Sequence, residues 1–90
     1  MAVITDNVSA GRFELVEQDH TAYADYRLAP DRMIIDYVFS PPELRGAGTA
    51  GRLMQGVATE ARARNLKITP LCGYAAAWLK RHSDHADLVA

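Results

Sequence analysis

The chain of 90 residues contains one cysteine, Cys72, which excludes an intramolecular disulfide and a multi-cysteine zinc site. It has no apolar run approaching the roughly 18 residues that a membrane-spanning helix needs, and its start lacks the apolar core of a secretory signal. An excess of one charge is missing as well: ten Lys and Arg stand against eleven Asp and Glu, a formal net charge of −1. That balance gives no electrostatic case for nucleic acid or an anionic membrane. The expectation is a protein of the reducing cytoplasm with neither as a partner. Repeats, low-complexity tracts and linkers are absent too, so residues 1–90 are expected to form one domain, near the small end of what folds unaided.

What is present is a hydrophobic content of 49%, ordinary for a globular chain. Basic residues are uneven: Arg45, Arg52, Arg62, Arg64, Lys67, Lys80 and Arg81 all fall at position 45 or beyond. An anionic ligand is therefore better sought there.

Apolar residues alternate in residues 12 to 16 and again in 20 to 28, the period of half-buried strands. "APDR" at 29 to 32 is a turn signal, and "MIIDYVF" at 33 to 39 is β-rich and nearly continuous in apolar character, as a central strand would be. Ser40-Pro41-Pro42 ends that strand, since neither proline can donate a ladder hydrogen bond. Leu53, Met54, Val57, Ala58 and Ala61 then recur at helical spacing, which predicts a helix from about Gly48 to Arg64 with Asn65 as its C-cap. Residues 66 to 69 read as a short strand, 75 to 82 as a second helix, and the tail is expected to fray. The order β-β-β-α-β-α predicts a mixed α/β (α+β) fold: an antiparallel meander followed by a β-α-β-α crossover unit.

"LRGAGTAGRLM" at 44 to 54 matches three anion-cradling patterns. A P-loop needs Lys and then Ser or Thr after its last glycine; here Arg52 and Leu53 stand there, and leucine cannot ligate a metal. A dinucleotide fingerprint needs its first glycine directly after a strand and a carboxylate about 20 residues on. Five residues separate Ser40 from Gly46, and no carboxylate lies between Glu60 and Asp84. The third pattern, R-x-x-G-x-A from Arg45 to Ala50, survives: glycines admit a close ligand, and amides at a helix N-terminus present partial positive charge to a pyrophosphate.

"SPPELRGAGTAGRLM", the strand after it and "PLCGYAAAWLKRHSDHADL" together resemble the small single-domain N-acetyltransferases of the GNAT superfamily, the YjdJ-like group. The resemblance implies a minimal GNAT-like domain that binds acetyl-coenzyme A and transfers acetyl to an amine. It implies that backbone groups of Val38, Phe39 and Ser40 hold the pantetheine arm and the acetyl carbonyl. Arg45, Gly46, Ala47, Gly48, Thr49 and Ala50 would wrap the pyrophosphate, with Arg52, Lys80 and Arg81 as candidates for the nucleotide end. The sequence departs from the group's pattern at Tyr37-Val38, where histidine-threonine is usual. The alternative that follows is a catalytically silent coenzyme A binding or interaction module of the same fold.

Acetyl transfer needs a neutral amine, a polarised carbonyl and a proton for the departing thiolate. Cys72, at the C-terminal edge of the sheet, and Tyr74 are the candidate catalytic residues, Cys72 competing with a reading as a small buried hydrophobe. His20, Asp36 and Glu43 are weighed as the base, and none is assigned; Asp36 is expected to pair with an arginine. His82, Asp84, His85 and Asp87 have metal-like spacing, but no metal site is expected. The acceptor stays unnamed, and a homodimer that completes its site is compatible with so small a chain.

Overall fold

A computed structural model describes residues 3–90. Five strands form one sheet in chain order: β1 (Thr5–Asn7), β2 (Arg12–Glu17), β3 (His20–Ala29), β4 (Arg32–Phe39) and β5 (Lys67–Pro70). The first four are antiparallel, while β5 runs parallel to β4. A parallel neighbour requires a crossover, which helix α1 (Thr49–Ala63) supplies. Helix α2 (Gly73–Arg81) follows β5, and a 3-10 segment, Ser83–Leu88, comes after it. The mixed α/β fold expected from the periodicities is the fold observed.

One face of the sheet carries both helices. Phe13 and Leu15 of β2, Ala22, Ala24 and Tyr26 of β3, Met33 and Ile35 of β4 and Ile68 of β5 meet the buried side chains of α1 and α2 in a single core. The small side chains of Ala22 and Ala24 let α1 come close, while Phe13 and Tyr26 stack at 4.3 Å between ring centres. Truncating a buried ring such as Phe13 to alanine costs about 3–5 kcal/mol. The alternate residues, Arg12, Glu14, Tyr23 and Asp25 among them, lie on the opposite face, over which no helix packs.

A bulge decides what β4 offers to each face. Asp25 pairs with Tyr37 but its neighbour Tyr26 pairs with Ile35, so Asp36 is one residue too many. The alternation shifts phase there: Val38 packs against the core, and Tyr37 and Phe39 emerge on the helix-free face. The apolar run of β4 suggested cover on both faces. Instead Tyr37 is 49% exposed, because none of the described elements lies over that side.

The ends of the pattern also differ from expectation. Strand β1 was not expected; its sequence, Thr-Asp-Asn, has no apolar alternation, and pairing with β2 forms it. The tail does not fray, since His85 and Leu88 are buried and Val89 bridges to Ile68. At the end of α1 the expected cap is present: Asn65 is left-handed at φ 60, its amide donates to Arg62 O, and Leu66 N donates to Ala61 O at 2.9 Å. Those paired bonds form a Schellman motif that satisfies the last carbonyls of the helix.

Candidate functional site

The sheet opens between β4 and β5. Their pairing stops at Ile35 and Pro70, and the chain then turns away, with Leu71 N and Cys72 N both donating to Ile35 O. Residues 36 to 39 of β4 continue alone, bonded on one edge to β3 and open on the other. An unpaired strand edge is a row of amides and carbonyls ready to receive another extended chain.

A cleft of about 470 Å³ lies along that open edge. Tyr37, Val38, Phe39 and Ser40 line it from β4, and Leu44, Arg45, Gly46 and Gly48 from the connecting loop. Thr49, Ala50 and Gly51 join from the first turn of α1, and Tyr74 from α2. Of the residues expected to hold a ligand, the fold brings together Val38, Phe39, Ser40, Arg45, Gly46, Gly48, Thr49 and Ala50. Ala47 is adjacent but does not line the cleft; its carbonyl accepts from Arg52.

The helix start is built to leave its amides free. Gly48 is the N-cap at φ 81, a left-handed conformation that glycine adopts without strain. Among the described residues no side chain caps the helix, so the amides of Thr49, Ala50 and Gly51, which have no acceptor within the helix, stay unpaired at the positive end of the helix dipole. Beside them Ser40 Oγ is buried and has no hydrogen-bond partner among the described residues. Such an orphaned hydroxyl is uncommon in folded proteins.

A latch from the meander holds this loop. Glu17, at the end of β2, accepts from Arg52 Nε and Nη2, each at 2.7 Å, and from Thr49 Oγ1 at 2.6 Å. Arg52 Nη2 also donates to Ala47 O at 2.8 Å. The Arg52 guanidinium beside Glu17 lowers its carboxyl pKa from 4.5 to about 2, with the Thr49 hydroxyl adding to the effect. Thr49 is 1% exposed, so the latch fixes α1 against the sheet at the point where the helix meets the cleft. Arg52 is therefore engaged in holding the loop. The partnership between positions 17 and 52 has no local pattern that sequence reasoning could have read.

Tyr74 and Cys72 separate clearly. A methyl group added at Gly51 would lie 3.9 Å from Tyr74 Oη, which puts the phenol beside the helix start. Burial raises its pKa above the ordinary 10.0, with Arg81 pulling the other way, so it carries its proton at neutral pH. Cys72 instead precedes α2, packs half-buried against the core and does not line the cleft. Lys80 lines a separate depression with Pro70, Leu79 and Val89. Arg81 stands near Tyr74 but outside the cleft lining.

Among the weighed bases, Asp36 is held by a bidentate pair with Arg27 at 2.8 and 2.9 Å, as expected. His20 Nδ1 lies 4.0 Å from Glu43 Oε1, and neither residue lines the cleft. Both tail histidines serve packing: His82 Nδ1 meets Trp78 O, and His85 sits between Arg62 and Gln55. Asp87 pairs with Arg62. Among the described residues no helix is long and apolar enough to cross a membrane.

Comparison with curated proteins gave no significant match. Among solved structures, the NMR solution structure of a GCN5-like candidate N-acetyltransferase from Staphylococcus aureus superposes with a TM-score of 0.69. It is 22% identical, with 99% of this chain and 88% of that one covered, a likeness that speaks for the fold. The family model described as GCN5-related N-acetyl-transferase matches residues 12–88. The stretch it matches holds the open β4 edge, the uncapped helix start and the latch that holds that start to β2, and the chain belongs to the GCN5-related N-acetyltransferase family.

Proposed function

We propose that the cleft binds acetyl-coenzyme A and that the protein transfers its acetyl group to an amine. One observation carries this reading: three uncapped amides at the start of α1 adjoin an unpaired edge of β4. A diphosphate suits the first feature, because the amides and the helix dipole both favour negative charge. The amide-bearing pantetheine arm suits the second, since an extended chain can add to an exposed strand edge. Gly46, open and left-handed at φ 84, leaves room for close approach, and the orphaned Ser40 Oγ offers one further polar contact.

When bound, acetyl-coenzyme A supplies a thioester, so the amine nitrogen forms a bond to the carbonyl carbon while the carbon–sulfur bond breaks. The residues of the chain do the rest. The free amides along residues 36 to 39 are available to polarise the carbonyl oxygen, a kind of stabilisation worth several kcal/mol in other enzymes. Tyr74 holds a proton at Oη and donates it to the departing sulfur, and the proton lost by the amine leaves to solvent. This assigns the catalytic role to Tyr74 in preference to Cys72. Arg81 supports the phenolate that Tyr74 becomes.

Calorimetric titration with acetyl-coenzyme A, followed by thiol release across a panel of amines, tests the proposal. Saturable binding and amine-dependent thiol release support it. Absence of binding at millimolar ligand overturns it, and binding without transfer to any amine would favour the silent module.

A further inference from the structure

We propose that the helix-free face of the sheet beside the cleft is the acceptor site, and that it takes a monoamine carrying an aromatic ring. The proposal rests on the acetyl-coenzyme A reading above. Amides at the start of α1 would hold the diphosphate on the helix side, so an acceptor must reach the thioester from the side that no helix covers.

Tyr37 and Phe39 join the two regions. Both line the cleft, and both emerge on the helix-free face because of the bulge at Asp36. There they meet Tyr23 from β3: the Tyr23 and Phe39 rings stack at 5.1 Å, and Tyr23 and Tyr37 are 6.5 Å apart. The result is a shelf of three rings continuous with the cleft. Arg12 closes its far side, with its guanidinium 4.4 Å over the Tyr23 ring. Tyr37 is the most exposed ring of the three, and an aromatic substrate can lie between it and Tyr23, in offset or edge-to-face contact with both.

Charge selects the other half of the acceptor. Arg12 pairs with Glu14, and Arg27 pairs with Asp36. Asp25, directly across from Tyr37 in the ladder, has no ion-pair partner among the described residues. Arg12 lies across from Asp25 on β2 but gives its guanidinium to Glu14, which leaves the Asp25 carboxylate beside the rings for one ammonium group. A polyamine would carry further charges that this face leaves unmatched.

The test is calorimetric titration of the coenzyme A-loaded protein with phenethylammonium, n-butylammonium and spermidine, after coenzyme A itself has been titrated. Phenethylammonium is expected to bind about tenfold tighter than n-butylammonium, the gain one good ring contact provides. Tyr23→Ala should remove that preference, and Tyr23→Phe should keep it. Asp25→Asn should weaken both monoamines severalfold. None of these variants should alter coenzyme A affinity, because neither residue lines the cleft. Equal binding of the two monoamines, tightest binding of spermidine, or a preference that survives Tyr23→Ala would overturn the proposal. Failure of coenzyme A to bind would instead remove the underlying reading, and the acceptor role with it.

Discussion

At its C-terminal end α1 is closed: Asn65 turns left-handed, Leu66 N and Asn65 N return to the helix carbonyls, and Arg64 spans Glu60 and Asp6. At its N-terminal end the same helix is left open. Gly48 turns left-handed as well, but no side chain reaches the first-turn amides. A fold normally satisfies its backbone groups, so the contrast within one helix distinguishes an end made for stability from an end made for a ligand. Glu17 and Arg52 sharpen the point. They bond to Thr49 Oγ1 and Ala47 O and hold the open end in place without capping its amides.

If that contrast is sound, changes at the open end should impair function whatever they cost in stability, and changes at the closed end should cost stability alone. The largest effect is expected for Tyr74→Phe. Loss of a positioned general acid should lower kcat by about 10²-fold, with coenzyme A affinity and melting temperature unchanged, as read by steady-state kinetics and calorimetry. Next comes Gly48→Ala. A left-handed alanine costs about 1–2 kcal/mol, and its Cβ would lie 3.0 Å from Arg52 Nη1. Coenzyme A should bind about tenfold more weakly or worse by calorimetry.

At the closed end, Asn65→Ala should lose about 1 kcal/mol of stability, since alanine tolerates φ 60 less well. For a domain this small that is a fall of about 4–8 °C in melting temperature, with coenzyme A affinity unchanged. The smallest effect at neutral pH is expected for Glu17→Gln, a severalfold loss of coenzyme A affinity as the latch loosens. Glu17 has a lowered pKa in the folded protein, so its contribution is full above pH 4.5 and is lost as the pH falls towards about 2. A thermal-shift series across that window should show an acid-dependent loss in the parent that is smaller in the variant. A fifth change bears on the middle of the helix. Gly56→Ala would ordinarily stabilise α1, but a Cβ there would meet Ile4 Cγ2 at 2.6 Å. Overpacking of this kind costs about 1–3 kcal/mol, so the melting temperature should fall instead of rise.

Much of this was legible in the sequence where the governing forces are local. The apolar spacing of Leu53, Met54, Val57, Ala58 and Ala61 marked α1, Asn65 marked its end, and the proline pair marked where β4 stops. The glycine loop was recognisable because left-handed backbone at positions 46 and 48 calls for glycine. What escaped depends on distant partners. Glu17 and Arg52 are 35 residues apart, and nothing near either one announces the other. The bulge at Asp36 arises from register with β3, and it alone sends Tyr37 outward. Strand β1 and the buried His85 are likewise products of tertiary pairing. Cys72 and Tyr74 looked interchangeable as two polar groups two residues apart. The start of α2 separates them, turning the phenol to the cleft and leaving the thiol against the core.

The most direct measurement is the backbone amide NMR spectrum during titration with coenzyme A. Saturable shifts concentrated at Gly46, Gly48, Thr49, Ala50 and Gly51, with a second group at Val38, Phe39 and Ser40, are the result predicted here. Shifts that leave these amides unmoved, or that gather at the depression around Lys80, would contradict it.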